Sequence, residues 1–188
     1  MICCASFTRW LNPRTQHGIT YIEIMIVVVI IGIVASAVMP DLSSTDTKKL
    51  EIAAQEIAEA IRFARAEAIR TKIPHGINTD TGNERLRVYS LPASTPVYDK
   101  YHPIDKNLYD IQLKTDAFVE GVDLVSASFN FAGSVSSSTY LDFNTDGNPK
   151  YTFSGSDRML TSGSITLRYN GQQRIVSIAP MTGRVTVQ

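Results

Sequence analysis

From Ile19 to Met39 the chain carries 21 residues with a single charge, Glu23, and this run limits what the rest of the molecule can be. As a helix it would extend about 32 Å, enough for a hydrocarbon core of about 30 Å. Upstream, Arg9 and Arg14 are the only charged residues. Their sign predicts that residues 1–18 lie in the cytoplasm and that the remainder crosses the membrane. An acid inside such a run is costly unless it is paired, neutralised or within reach of the headgroups, so Glu23 needs a partner or a purpose. The plainer alternative is that Glu23, one turn from the start of the run, snorkels to the interface.

Two processing readings fit these residues. In the first the segment is a secretory signal, with a basic n-region, an h-region from Ile24 to Val34 and an A-x-A site at Ala35-Ser36-Ala37. Cleavage after Ala37 would release a soluble binding protein starting at Val38. An h-region gains nothing from Glu23. In the second reading the cut falls after Gly18 and the run stays on the product. The order of basic leader, Gly18, apolar Ile19, Thr20-Tyr21-Ile22-Glu23, unbroken apolar run, Gly32 and Pro40 resembles the class III signal of type IV prepilins and pseudopilins. Ile19 departs from the phenylalanine commonest at that position.

The resemblance implies cleavage after Gly18 by a prepilin peptidase, N-methylation of Ile19 and a helix bend at Gly32 and Pro40. It also implies retention in the bacterial inner membrane and later packing against other pilins or pseudopilins. Glu23 would then attract the free N-terminal amine of a neighbouring subunit and so fix axial register, unpaired before assembly and paired after it.

The 188 residues allow one ordinary domain beside this segment. With 44% hydrophobic and 19% charged residues the chain is globular in composition. Lys and Arg balance Asp and Glu at 18 each, which argues against a protein that is basic throughout. The two cysteines, Cys3 and Cys4, are adjacent, so neither a disulfide framework nor a thiolate metal site is expected.

Past the run, Pro40 to Lys49 is polar and rich in hydroxyl side chains. Pro40, with Ser43, Ser44 and Asp46 suited to capping, predicts a kink or weak turn and a hinge. Leu50, Ala54, Ile57, Ile61, Ala64 and Ala68 then recur at steps of three and four, the stripe of an amphipathic helix that Pro74 ends. Glu59 with Arg62, and Glu67 with Arg70, are spaced to pair along it. The basic stretch "RFARAEAIRTK" reads as a solvated face over a core.

Residues 74–188 read as a β-rich periplasmic domain. Strands are expected over Arg85–Leu91, Leu108–Lys114, Val122–Phe131 and Tyr140–Asn144. The clearest hairpin is "SITLRYNGQQRIVSIAP", turning at Asn170-Gly171, with a further turn at Pro180–Gly183 into "RVTV". A long helix packed on antiparallel sheet is an α+β fold, and it is similar to the pilin fold. The domain limits are thus a leader at 1–18, a membrane and filament-core helix at 19–39, a hinge and amphipathic helix at 40–73, and the β-rich remainder. "IRFARAEAIRTK", "LDFNTDGNP" and "RIVSIAPMTGRV" resemble the GspH/FimT group of minor pseudopilins and minor pilins. That resemblance implies a structural subunit of a type II secretion pseudopilus or a type IV pilus.

No enzyme and no cofactor are read from the sequence. His17, His75 and His102 lack metal-ligand spacing, and no phosphate loop or nucleophile elbow occurs. Asp142, Asn144, Asp146 and Gly147 match the first half of an EF-hand loop, but Phe153 holds the twelfth position, where a bidentate glutamate is needed. A β-turn is the better reading. Beyond Asp157 there is no acid, whereas Arg158, Arg168, Arg174 and Arg184 make this edge basic. Such a rim could contact nucleic-acid phosphates without reading sequence, or it could be a solvated face or a subunit contact. Some pilus-type members of the group are linked to DNA uptake through a G-R-x-R element. Gly183 and Arg184 match it, but Thr186 replaces the second arginine.

Overall fold

In the computed structural model the described residues are 18–37, 42–93, 95–116, 119–133, 138–151 and 157–188. The chain divides into two compact units, Met1–Asp41 and Leu42–Gln188. Pro40 and Phe153 fall outside the described residues.

In the first unit, helix α1 (Tyr21–Ala37) is apolar on every side and runs unbroken through Gly32. Its side chains are exposed from Tyr21 to Ala35, Ile19 just before it reaching 72%. Among the described residues no helix is long and apolar enough to cross a membrane; α1 has 17 residues, against the 21 of the sequence-level run.

The second unit is α+β, as the sequence predicts. Helix α2 (Leu42–Thr71) lies on antiparallel strands β1 (His75–Asp80), β2 (Arg85–Ser90), β3 (Asp110–Gln112), β4 (Asp123–Phe131), β5 (Tyr140–Phe143), β6 (Pro149–Tyr151), β7 (Arg158–Tyr169), β8 (Gln172–Ile178) and β9 (Val185–Val187). The sheet runs β3-β2-β1-β5-β6-β7-β8-β9, with β4 also paired to β7. Long β7 joins the two parts: Arg158 and Met159 pair with β6, Leu160 to Arg168 with β4, and Gly163 to Tyr169 with β8.

The helical stripe is the centre of the core. Leu50, Ala54, Ile57, Ile61, Ala64 and Ala68 are fully buried, against Ile77, Leu141, Phe143, Ile165, Leu167 and Val176 from the sheet. The expected pairs Arg62–Glu59 and Arg70–Glu67 form at 2.6 and 2.7 Å. The helix stops short of Pro74 because Lys72 adopts a left-handed cap, φ 55°.

Three expectations change. The polar stretch from Leu42 is helical rather than a turn, although residues 38–41 lie outside the described set. Its side chains have tertiary partners: Asn170 Nδ2 donates to Asp46 Oδ2 at 2.7 Å, and Thr47 Oγ1 donates to Gln172 Oε1 at 2.9 Å. Strand β1, "HGINTD", is not among the expected strands yet is the buried strand between β2 and β5, with Asn78 and Thr79 bonded to neighbours. Thr79 Oγ1 donates to Thr139 O at 3.0 Å and Asn78 Oδ1 accepts from Arg87 at 3.2 Å. Expected strand Leu108–Lys114 shrinks to β3, with Leu108 only bridging Tyr101. The hairpin forms as expected, Asn170 and Gly171 having φ of 46° and 79°.

Two isoleucines of α2 separate stripe from solvent. Ile61→Ala is expected to cost about 2–5 kcal/mol. Ile52→Ala, at a side chain 50% exposed, should cost under about 1 kcal/mol. Urea unfolding followed by circular dichroism measures both.

Candidate functional site

The N-terminal site is built by the first turn of α1. Thr20 O accepts from Glu23 N at 3.0 Å and from Ile24 N at 3.3 Å, so the helix begins directly after Ile19. Glu23 is therefore a first-turn residue, where the helix dipole favours a negative charge. It shares one face with Ile19, Ile24, Val27 and Val28, around a shallow groove of about 280 Å³. Among the described residues Glu23 has no ion-pair partner. Gly18, Ile19 and Glu23 thus lie within two helical turns of one another, with an exposed carboxylate on an apolar face.

The four C-terminal arginines are not gathered. Leu167 points into the core and its cross-strand partner is Arg174, so Arg174 lies on the helix side, where its Nε donates to Glu51 Oε2 at 3.1 Å. Arg168, the next residue of β7, faces the other way and sits 3.7 Å from Asp123. Arg158, at the far end of β7, donates to Gly133 O at 3.2 Å. Arg184 is exposed in the turn before β9. Two of the four are thus neutralised by acids, on opposite faces of the sheet.

Gly183 has a structural role of its own. Its φ is +61°, and a Cβ there would lie 2.9 Å from Phe143 and 3.2 Å from Gly147 O. The C-terminal turn is therefore pressed onto the β5–β6 turn, where α2 clamps both. Arg65 Nε donates to Gly147 O at 3.0 Å and Arg62 to Val185 O at 3.3 Å. Sequence reasoning placed these two arginines on a solvated face. Their targets are backbone carbonyls far along the chain, which no local pattern marks.

The EF-hand-like segment is a turn. Asn144 Oδ1 accepts from the backbone N of Asp146 at 3.1 Å and of Asn148 at 2.8 Å, and Gly147 N donates to Asn144 O at 2.9 Å. Asp142 is buried in β5, where its carboxylate accepts from Tyr89 Oη. Burial, and then this carboxylate, push the Tyr89 phenol well above its usual range. Among the described residues no cluster of three His, Cys, Asp or Glu could hold a metal.

His75 is fully buried at the start of β1, its Nδ1 bonded to Ile73 O at 2.7 Å and its Nε2 without a partner. Burial holds its pKa below the ordinary value.

Residues 53–182 match the family described as Type II transport protein GspH. The chain belongs to the GspH family. Residues 13–39 match the prokaryotic N-terminal methylation motif, so this GspH protein is a structural subunit of the minor pseudopilin and minor pilin class. Among solved structures it is similar to the minor pseudopilin EpsH from the Type 2 Secretion System of Vibrio cholerae, at 20% identity over 74% of this chain and 96% of that one, TM-score 0.48. It is also similar to the type IV minor pilin FimU of Pseudomonas aeruginosa PAO1, at 20% identity over 77% of this chain and 91% of that one, TM-score 0.45. No match was found among curated proteins.

A His75 whose folded pKa lies below the unfolded value of 6.5 resists a proton that the unfolded chain accepts. Its contribution to stability is complete above that value and is lost as pH falls toward the folded pKa. Relative to His75→Gln, the wild-type urea midpoint is expected to drop between pH 7.5 and about pH 5.5. Parallel midpoints across that range would refute this.

Proposed function

We propose that this GspH protein is made as a prepilin, cut after Gly18 by a prepilin peptidase and N-methylated on Ile19. The apolar run from Ile19 holds it in the bacterial inner membrane with the unit from Leu42 in the periplasm. It then joins a pseudopilus of type II secretion or a type IV pilus, where α1 becomes part of the filament core.

One observation carries this reading: a helix apolar on all sides, with a lone carboxylate in its first turn, begins at Tyr21, two residues after Ile19. A helix without a polar face needs apolar surroundings on every side, which a bilayer supplies first and a bundle of like helices supplies later. Once Ile19 is the first residue, its ammonium is the natural counter-charge for Glu23 of a neighbour. A charge pair in low dielectric is strong only when its geometry is met, so it selects axial register more than it adds affinity. The methylation motif over residues 13–39 supports keeping the apolar run over a cut after Ala37.

Intact-mass measurement of protein extracted from membranes should give a chain starting at Ile19 and one methyl group heavier than the bare sequence. A chain starting at Val38 would refute the reading. Glu23→Leu should still reach the membrane but enter filaments at least about tenfold less than wild type, as quantified by immunoblot of sheared fibres. Equal incorporation would remove the register role.

A further inference from the structure

Where α2 passes the β2–β3 connection, a shallow basin carries negative charge that its neighbours do not cancel. The connection closes in a tight hairpin: Tyr101 bridges Leu108, His102 N donates to Asn107 O at 2.7 Å, and Tyr109 N donates to Lys100 O at 2.7 Å. Asp105 lies in the turn of this hairpin, and Glu56 comes from α2. Glu56, Asp105 and Asp110 line both an inner recess of about 70 Å³, shared with His102 and Tyr109, and an outer basin of about 300 Å³ that reaches Asp116.

The nearby bases are engaged by other acids. Arg85 binds both side-chain oxygens of Asp110, Arg62 lies 2.6 Å from Glu59, and Lys114 lies 4.0 Å from Glu84. His102 Nδ1 is 3.1 Å from Asp105 Oδ1. Glu56 has no hydrogen-bond or ion-pair partner among the described residues, and the groups acting on it are the like charges Asp116 and Asp105 and the single base His102. A protonated His102 balances Asp105 and leaves the Glu56 charge over, and a neutral His102 leaves both. Burial, and after it Asp116, push the Glu56 carboxyl above its usual range.

An independent observation points into the same recess. Tyr109 is only 4% exposed, with its ring edge-on to His102 at 4.7 Å and 5.0 Å from Phe63 of α2, yet its hydroxyl has no hydrogen-bond partner among the described residues. Burial, and then Glu56, Glu59 and Asp105, push this phenol well above its usual range, so its oxygen sits among acids. A buried hydroxyl left unpaired is costly, and a cationic donor entering the recess would satisfy it together with Glu56.

We infer that this basin takes the ammonium head of a lysine side chain carried on another protein subunit. An ammonium has three diverging N–H donors, and the acceptors stand on three separate elements: Glu56 on α2, Asp105 in the hairpin turn and Tyr109 at the foot of β3. A guanidinium fork is matched instead to the two coplanar oxygens of one carboxylate. Among the described residues no three acids or histidines are gathered closely enough to hold a metal ion. A protein source is favoured over a free amine by the flanks: Leu108 beside the recess is 52% exposed, Ile104 in the hairpin 84%, and Ile52, one turn before Glu56 on α2, 50%. Apolar margins around a charged recess receive the stem of a lysine and its apolar neighbours. The source of the lysine rests on the proposed assembly, whereas binding in micelles needs no filament, so the two fail separately.

The test uses the full chain in detergent micelles, labelled for detection of glutamate carboxyl and tyrosine ring signals. The probes are the capped peptides Leu-Lys-Leu, Leu-Arg-Leu and Leu-norleucine-Leu, with butylammonium and calcium. The lysine peptide is expected to shift the Glu56 carboxyl and Tyr109 ring signals saturably, with a dissociation constant at least about tenfold below each of the other four. No saturation by about 50 mM overturns the inference, and so does equal affinity for the norleucine peptide or for calcium. Equal affinity for the arginine peptide overturns the ammonium head, and equal affinity for butylammonium overturns the protein source. Glu56→Gln removes the charge at constant size and should weaken the lysine peptide about tenfold as read at Tyr109. Tyr109→Phe, which keeps the ring and removes the hydroxyl, should weaken it about threefold as read at Glu56. If Glu56→Gln does not fold, Asp105→Asn must weaken the peptide about tenfold in its place. Unchanged affinity in the variants tested overturns the inference.

Discussion

The close seating of α2 on the sheet is the interaction on which the rest of the second unit depends. Six alanines of the helix, Ala53, Ala54, Ala58, Ala60, Ala64 and Ala68, have no exposed surface. Small side chains let helix and strands approach until Leu50, Ile57 and Ile61 interdigitate with Ile77, Phe143 and Ile165. That contact decides which face of every strand is inside. It sends Leu86, Val88, Leu167 and Val176 to the core, and Arg85, Arg87 and Arg168 to the outside. It also brings Arg62 and Arg65 within reach of the C-terminal turns, so the last strand is tied to the helix by Arg62 as well as by apolar packing.

The elements legible in the sequence are those whose signal is local. The stripe of α2, its ion pairs at three-residue spacing, and the Asn170-Gly171 hairpin each follow from residues within a few positions of one another. Strand β1 was hidden because Gly76, Asn78 and Asp80 are turn formers, and the strand geometry of Gly76 and Asn78 is imposed from both sides, by β2 and β5. The start of α2 was obscured in the same way: Ser43, Ser44 and Asp46 disfavour a helix interior, yet Asp46 and Thr47 are engaged by the β7–β8 turn, 124 to 125 residues away.

The candidate site residues divide along the same line. Gly18, Ile19 and Glu23 are contiguous with the apolar run, and one segment of chain carries the whole pattern. The arginines at the C-terminus are close in sequence only, and strand alternation sends Arg168 and Arg174 to opposite faces, each beside an acid. Gly183 was singled out as part of a nucleic-acid element, but its positive φ and its contact with Phe143 give it a packing role. The cluster of Arg87, Tyr98, Lys100 and Leu108 left no trace in the sequence, because these residues meet only when the β2–β3 connection folds back.

Glu23 is a charged side chain on an otherwise apolar helix. Its neighbours Ile24 and Val27 are apolar, and it has no counter-charge among the described residues. Burying it without a partner would cost more than apolar contact around it returns, so a neighbour that covers it without supplying the opposite charge is rejected. Apolar surface alone, as on α1, would accept any helix in any axial offset, since it is uniform around and along the rod. In the proposed filament discrimination then falls to the sparse charges, and one acid at a fixed distance from the proposed cut after Gly18 would specify an offset that the surrounding isoleucines and valines cannot.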